Sequence, residues 1–263
     1  MDKKFKRVAV CLGSHMRIYK DTAKIFQERF LRNIAEEWDF FIFTTRRIDH
    51  RYPKPDTRQP HLMTDEDIQE IINLYNPKKL VIDNLNFNNS NSSQLDNRDK
   101  RIRMLHRTKM SNVLRHEYEK ETGIKYDCVI KMRPDQVVLE EFTDLDKIDP
   151  QRLGLWPYGR VHGGVTDTFA MGPPHLMDTY FSLADNTEKY KHTTVKGAWA
   201  IELALQQYLI DLDIKHYDVP VNLLIVRING DQFWFHDQPG AVEWFARERG
   251  WKWDDHLKKF IDI

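Results

Sequence analysis

Apolar residues change spacing along the chain in a way that separates strands from helices. The run VAVCL after Arg7 is short, β-branched and bounded by Gly13-Ser14, the pattern of a strand buried on both faces. Ala23, Phe26, Phe30 and Ile34 then recur at steps of three and four, which predicts a helix from Asp21 to Trp38. WDFFIFT (Trp38 to Thr44) reads as a second strand, and the prolines and charges of RRIDHRYPKPDTRQP predict a loop. Thr64 followed by Asp65, Glu66 and Asp67 marks a helix start whose apolar face is Ile68, Ile71, Ile72 and Tyr75, with Pro77 beyond its end. KLVID (Lys79 to Asp83) is a third strand, and the Asn/Ser-rich NLNFNNSNSSQLDN is too polar to pack a core. A helix over Arg98 to Lys120 with Met110, Val113, Leu114 and Tyr118 inward, closed by Gly123, leads to a fourth strand, YDCVIKM (Tyr126 to Met132).

Three successive strand–helix–strand rounds predict an α/β fold with a mostly parallel central sheet flanked by helices, because parallel neighbours need crossover connections. After Asp135 the pattern loosens into LGLWPY, a Gly163-Gly164 turn, TFAMG, helical spacing over Lys196 to Leu209, a strand over Val221 to Ile228 and a tryptophan-rich end. We read one domain, 1–263, with a decorated second half.

Composition narrows the function classes. The chain has 263 residues, 41% hydrophobic and 12% aromatic, enough for a core and against disorder as the dominant state. Forty basic residues balance forty acidic ones, so no global field favours nucleic acid or an anionic membrane, and any anion site must be local. Cys11 and Cys128 sit in apolar runs, which suits buried thiols rather than disulfides or zinc, so a metal would take oxygen or imidazole ligands. No apolar stretch reaches the roughly 18 residues of a membrane span, and the basic start turns at Gly13 too soon for a signal peptide, which gives the expectation of a cytoplasmic protein.

In open parallel sheets ligands collect beyond the carboxyl ends of the strands. That rule selects Gly13-Ser14-His15-Met16-Arg17, Thr44-Thr45-Arg46-Arg47, Asp83 and Arg133-Pro134-Asp135. The first loop offers a small residue at Gly13, the Ser14 hydroxyl and the Arg17 guanidinium, which can bridge phosphate oxygens, although a plain β-to-α turn with a solvated arginine accounts for it equally well. It is neither a Walker loop nor a dinucleotide fingerprint. Arg133-Pro134-Asp135 sets a carboxylate rigidly at a strand end, where it can bind a hard cation or merely pair with Arg133. RDKRIRMLHRTK (Arg98 to Lys109) carries six basic residues; a solvated face explains it, and a narrower use is a phosphate clamp through Arg103 and Lys109.

Taken in order, VAVCLGSHMRIYK, DFFIFTT, YDCVIKMRPDQVV, GGVTDTFAMG and WAIELALQQYL resemble the successive blocks of a GT-A-like (Rossmann-like) glycosyltransferase family of viral and bacterial type, in which Arg-Pro-Asp stands in place of Asp-X-Asp. The resemblance runs from Val8 to Leu209. It implies a nucleoside diphosphate sugar donor, UDP-sugar first, across residues 1–135, and a glycan acceptor across 136–263. Gly13, Ser14, Arg17, Arg103, Lys109, Arg133, Asp135 and Arg227 would then bind the donor. Asp135 and His236 would hold Mn²⁺ or Mg²⁺, although Arg133 in the place of a carboxylate puts metal use in question. Asp167, then Glu202, would be the general base; a turn aspartate and a solvent-facing helix glutamate are the plainer accounts. Two other classes stay open: a nucleotidyltransferase, and a non-catalytic module that binds glycan or nucleic acid.

Overall fold

The computed structural model describes residues 3–48, 61–83, 97–157, 164–195, 198–229, 232–235, 251–254 and 259–262. The first half follows the predicted alternation: β1 (Phe5–Leu12), α1 (Tyr19–Phe26), β2 (Ala35–Thr45), α2 (Asp65–Tyr75), β3 (Lys79–Asp83), α3 (Asn97–Thr122) and β4 (Cys128–Met132). The helix of α1 is prolonged through a π-turn at Gln27–Leu31 to Ile34. β2 therefore starts three residues earlier than its apolar run, because Glu36 and Glu37 at its solvent end lack the apolar signal. Thr64 caps α2 in a capping box with Asp67, and Asn76 closes the helix in the left-handed conformation.

The second half supplies β5 (Gln136–Val138), β6 (Leu153–Leu155), β7 (Ala170–Gly172), α4 (Pro174–Phe181), α5 (Ile201–Asp211), β8 (His216–Asp218) and β9 (Leu223–Asn229). The helical spacing expected from Lys196 is realised only from Ile201; Thr194–Val195 and Ala198–Trp199 form a small antiparallel pair instead. The central sheet has seven strands in the order β8-β6-β7-β4-β1-β2-β3. β1 is parallel to both β2 and β4, β2 to β3, and β6 to β8; β7 alone runs antiparallel to its neighbours β4 and β6. This is an α/β fold with a mostly parallel central sheet flanked by helices.

Strand alternation splits the core into two layers. Val8, Val10 and Leu12 of β1 face Phe26, Phe30, Ile34, Ile71 and Tyr75, while Ala9 and Cys11 face the layer holding Leu114, Met177, Phe181, Ala204 and Leu205. Each fully buried phenylalanine contributes about 1.5–3 kcal/mol. The strand order reverses direction between β1 and β4, so their carboxyl ends border the crevice that such a switch creates.

Two expectations about helix faces are corrected. Ile72 is exposed. The inward stripe of α3 includes Thr108, Ser111, Asn112, Arg115 and Glu119 as well as Leu114, whereas Met110, Val113 and Tyr118 are only half-buried. Polar groups can lie there because they are paired: Arg115 Nε donates to Asn112 Oδ1 at 2.8 Å, Nη1 meets Glu119 at 3.1 Å, and Nη2 pairs with Asp178 of α4. Both cysteines are buried and free, and burial pushes each thiol up to about 12. Among the described residues no helix is long and apolar enough to cross a membrane.

Candidate functional site

β1 and β4 end side by side, with Leu12 registered against Met132. Beyond β4 the chain makes a turn with Pro134 at its first central position, closed by Gln136 N–H donating to the Arg133 carbonyl at 3.2 Å. Gln136 Oε1 in turn accepts from the Arg133 N–H at 2.9 Å, and the Thr22 hydroxyl of α1 donates to the Pro134 carbonyl. The turn is thus held from three sides. Asp135, buried, receives Arg133 in a two-point pairing, Nε to Oδ1 at 2.7 Å and Nη2 to Oδ2 at 2.5 Å. Arg17, from the loop after β1, brings Nη1 to 3.7 Å from Asp135 Oδ2. Between Arg17 and α1, Ile18 holds a left-handed φ of 41°, a conformation that costs a β-branched residue about 1–2 kcal/mol. The strain is located where the loop turns Arg17 towards β4. Burial works against the Arg133 charge, but Asp135 outweighs it and holds the guanidinium protonated well above its ordinary range.

Lys131 joins this corner from β4. On the same face of the sheet as Val129, it is buried, and its ammonium donates to the backbone carbonyl of Asp167. Burial pushes its pKa down to about 8, against the opposing pull of the Asp167 and Asp135 charges. Lys131 and Asp167 line a cavity of about 10 Å³ with Thr108, Met104, Leu105 and Tyr180, room for roughly one water. Burial, with the Asp167 charge, raises the Tyr180 hydroxyl well above its usual value.

Over the β1 tip, His15 Nδ1 lies 3.3 Å from Thr45 Oγ1 and its Nε2 lies 3.4 Å from Arg107 Nη2 of α3. Gly13 has a different task from the one its place in a loop suggests. A Cβ there would stand 2.2 Å from Thr108 Cα and 2.5 Å from the Arg107 carbonyl oxygen, so glycine lets α3 lie directly on the strand tip. The Ser14 hydroxyl oxygen and the Gln136 side-chain nitrogen are buried with no hydrogen-bond partner among the described residues.

The structure therefore brings Gly13, Ser14, Arg17, Arg133, Asp135 and Asp167 to one corner. Arg103 lies one helical turn before Arg107 and is half-buried. Lys109 points elsewhere, donating to both Asp185 carboxylate oxygens at 2.6 and 2.7 Å. Glu202 lies in the first turn of α5. Its backbone carbonyl accepts from Val165 N–H at 3.3 Å, and a Cβ on Gly164 would fall 2.4 Å from its carbonyl carbon. Arg227 lies on β9, which pairs with β5 just after Asp135; His236 is outside the described residues.

Lys131 and Arg107 were not selected from the sequence. A lysine inside an otherwise apolar strand, CVIKM, was the available signal for the first. For the second it was helical phase, since Arg107 precedes Thr108 and Ser111, which are small enough to approach the sheet.

Both oxygens of Asp135 are engaged by Arg133, and among the described residues no group of three or more His, Cys, Asp or Glu side chains is arranged so that it could hold a metal ion.

No family model and no curated protein matches the chain. Two solved structures of the glycosyltransferase GlyE from Streptococcus pneumoniae TIGR4 are similar to it, each at 14% identity. The apo form has a TM-score of 0.38 over 81% of this chain and 45% of its own, and the second has 0.37 over 83% and 46%. The chain spans less than half the length of these solved chains.

Proposed function

We propose that the protein is a glycosyltransferase that moves a sugar from a nucleoside diphosphate sugar to a hydroxyl of a glycan acceptor. The observation that carries this is the group formed by half-buried Arg17 with buried Asp135 and Arg133 at the crevice between β1 and β4. Guanidinium groups fixed in a water-poor place suit a diphosphate better than any neutral ligand. Asp135 orients Arg133, so its N–H donors are held in place before the donor arrives, and a guanidinium with five donors is not exhausted by one carboxylate. In the transfer, the acceptor hydroxyl loses its proton to the Asp167 carboxylate as its oxygen bonds the anomeric carbon. The bond from that carbon to the diphosphate oxygen breaks, and its electron pair leaves with the diphosphate, whose growing charge the arginines stabilise.

A thermal-shift screen of UDP-, GDP-, CMP- and TDP-sugars, with and without Mn²⁺, tests this directly. Ligand at 100 times its dissociation constant stabilises by about 2.7 kcal/mol, a clear shift in melting temperature. The expected result is a shift with one nucleotide family and slow release of the free nucleotide, abolished by Asp167→Ala. Release of pyrophosphate from a nucleoside triphosphate would instead identify a nucleotidyltransferase. No shift with any nucleotide would sink the proposal.

A further inference from the structure

Asp167 sits on a short stretch that leads into β7, with Val165, Thr166 and Phe169 buried around it. A side chain on such a stretch is placed only as well as its backbone is held. Val165 N–H donates to the Glu202 carbonyl at 3.3 Å, Thr168 N–H to the Thr166 hydroxyl at 3.2 Å, and Trp156 N–H to the Phe169 carbonyl at 3.4 Å. Asp167 itself is tied to the central sheet by a side chain. Lys131 stands on β4 opposite Ala170 of β7, and its ammonium reaches back to the Asp167 carbonyl.

That tie is made by a charge where a neutral donor would also serve. Lys131 keeps 4% exposure, and burial pushes its pKa down to about 8, so the fold carries a cost at this position. The cavity beside it has room for roughly one water, too little for a substrate group, so whatever Lys131 does for the reaction passes through Asp167.

We infer that Lys131 is a positioning residue: its ammonium, anchored in the central sheet, fixes the backbone of Asp167 and so aims the Asp167 carboxylate at the acceptor hydroxyl. The inference rests on the general-base reading of Asp167 proposed above and adds how that base is held.

Two physical terms favour it. A hydrogen bond from an ammonium is roughly twice as strong as one between neutral groups, and a base misplaced by about 1 Å loses on the order of 100-fold in rate. Lys131 also grips the main chain of Asp167, which leaves the carboxylate for the acceptor, while the Asp167 charge in turn supports the ammonium.

The test compares the whole parent protein with Lys131→Met, close in shape and uncharged, in nucleotide release from UDP-, GDP-, CMP- and TDP-sugars. The variant is expected to keep its melting transition, because removing a buried charge is often neutral or stabilising and a cavity water can take over the Asp167 carbonyl. Its kcat is expected to fall about 10-fold with KM within about 2-fold of the parent, the split left when only transition-state geometry is lost. Isothermal titration with inorganic pyrophosphate should give dissociation constants within about 2-fold of each other. Amide exchange over residues 165–169 should quicken on the order of 10-fold, with β1 unchanged. Lys131→Gln, which keeps an N–H donor without the charge, is the second variant, with a smaller loss of kcat. A folded variant with the parental kcat, or with slower turnover but unchanged exchange over 165–169, overturns the inference. So does pyrophosphate binding that weakens in step with the rate, which would make Lys131 a ligand of the donor. Turnover that survives Asp167→Ala, or a parent that releases nucleotide from none of these sugars, removes the base reading and this inference with it.

Discussion

Near the amino-terminal ends of the parallel strands Asp39 receives Arg7 at 2.8 Å, the Tyr126 hydroxyl at 2.8 Å and Lys78 at 3.5 Å; at the carboxyl ends Asp135 receives Arg133 and Arg17. The two aspartates are equally buried, at 4% and 3% side-chain exposure, but their cations are not. Arg7 and Lys78 keep 25% and 34% exposure, whereas Arg17 and Arg133 keep 12% and 11% and Lys131 only 4%. At the Asp39 end Arg7 also reaches Glu37 at 2.9 Å and water shares the cationic charge, so the cluster is a structural tie. Around Asp135 water is largely excluded, and under the proposed function the guanidinium groups there would meet the diphosphate of the donor. Position on the sheet, rather than composition, sets how far water reaches the cations at the two ends.

The largest effect that can break this contrast is electrostatic. Burial pushes the Lys131 pKa down to about 8 from the ordinary 10.5, so between those values the unfolded chain holds more protons and stability rises with pH. Its burial therefore opposes folding by on the order of 3 kcal/mol below pH 8, a penalty relieved as pH climbs towards 10.5. Urea unfolding of the parent minus Lys131→Met should show that slope; a flat difference would place Lys131 in contact with water. Next in size, Asp39→Ala should cost about 2–3 kcal/mol, less than a fully dry pair because its cations are partly hydrated, and leave pyrophosphate titrations unchanged. A change in those titrations would mean that the two ends are coupled. Smallest in stability, Arg17→Ala should lower the unfolding free energy by no more than about 1 kcal/mol, since its contact with Asp135 is 3.7 Å long, while it weakens the anion about 10-fold. A larger stability loss with unchanged affinity would make Arg17 a tie like Arg7.

Elements with strong local periodicity are legible in the amino-acid sequence. Ala23, Phe26, Phe30 and Ile34 are all buried, KLVID is β3, and Thr64 caps α2 through Asp67. The strand-end rule also selects Arg17, Arg133 and Asp135, which meet. What escapes are the positions where burial is polar. Arg115 is fully buried because Asp178, 63 residues away, pairs with it, and no hydropathy pattern contains that partner. Lys109, chosen from the basic run, faces Asp185, while Arg107 faces His15; a shift of two residues around α3 decides between them, and charge counting has no angle.

By itself the sequence determined which segments are strands and helices and which ends of the strands are polar, because spacings of two and of three to four residues are properties of the local chain. Only the tertiary structure decided that the tips of β1 and β4 lie together, that Gly13 yields its space to α3, and that Lys131 ends beside Asp167. Those outcomes depend on charges and backbones brought together from positions 36 to 120 residues apart in sequence, and a Coulomb interaction depends on distance in space, not on separation along the chain.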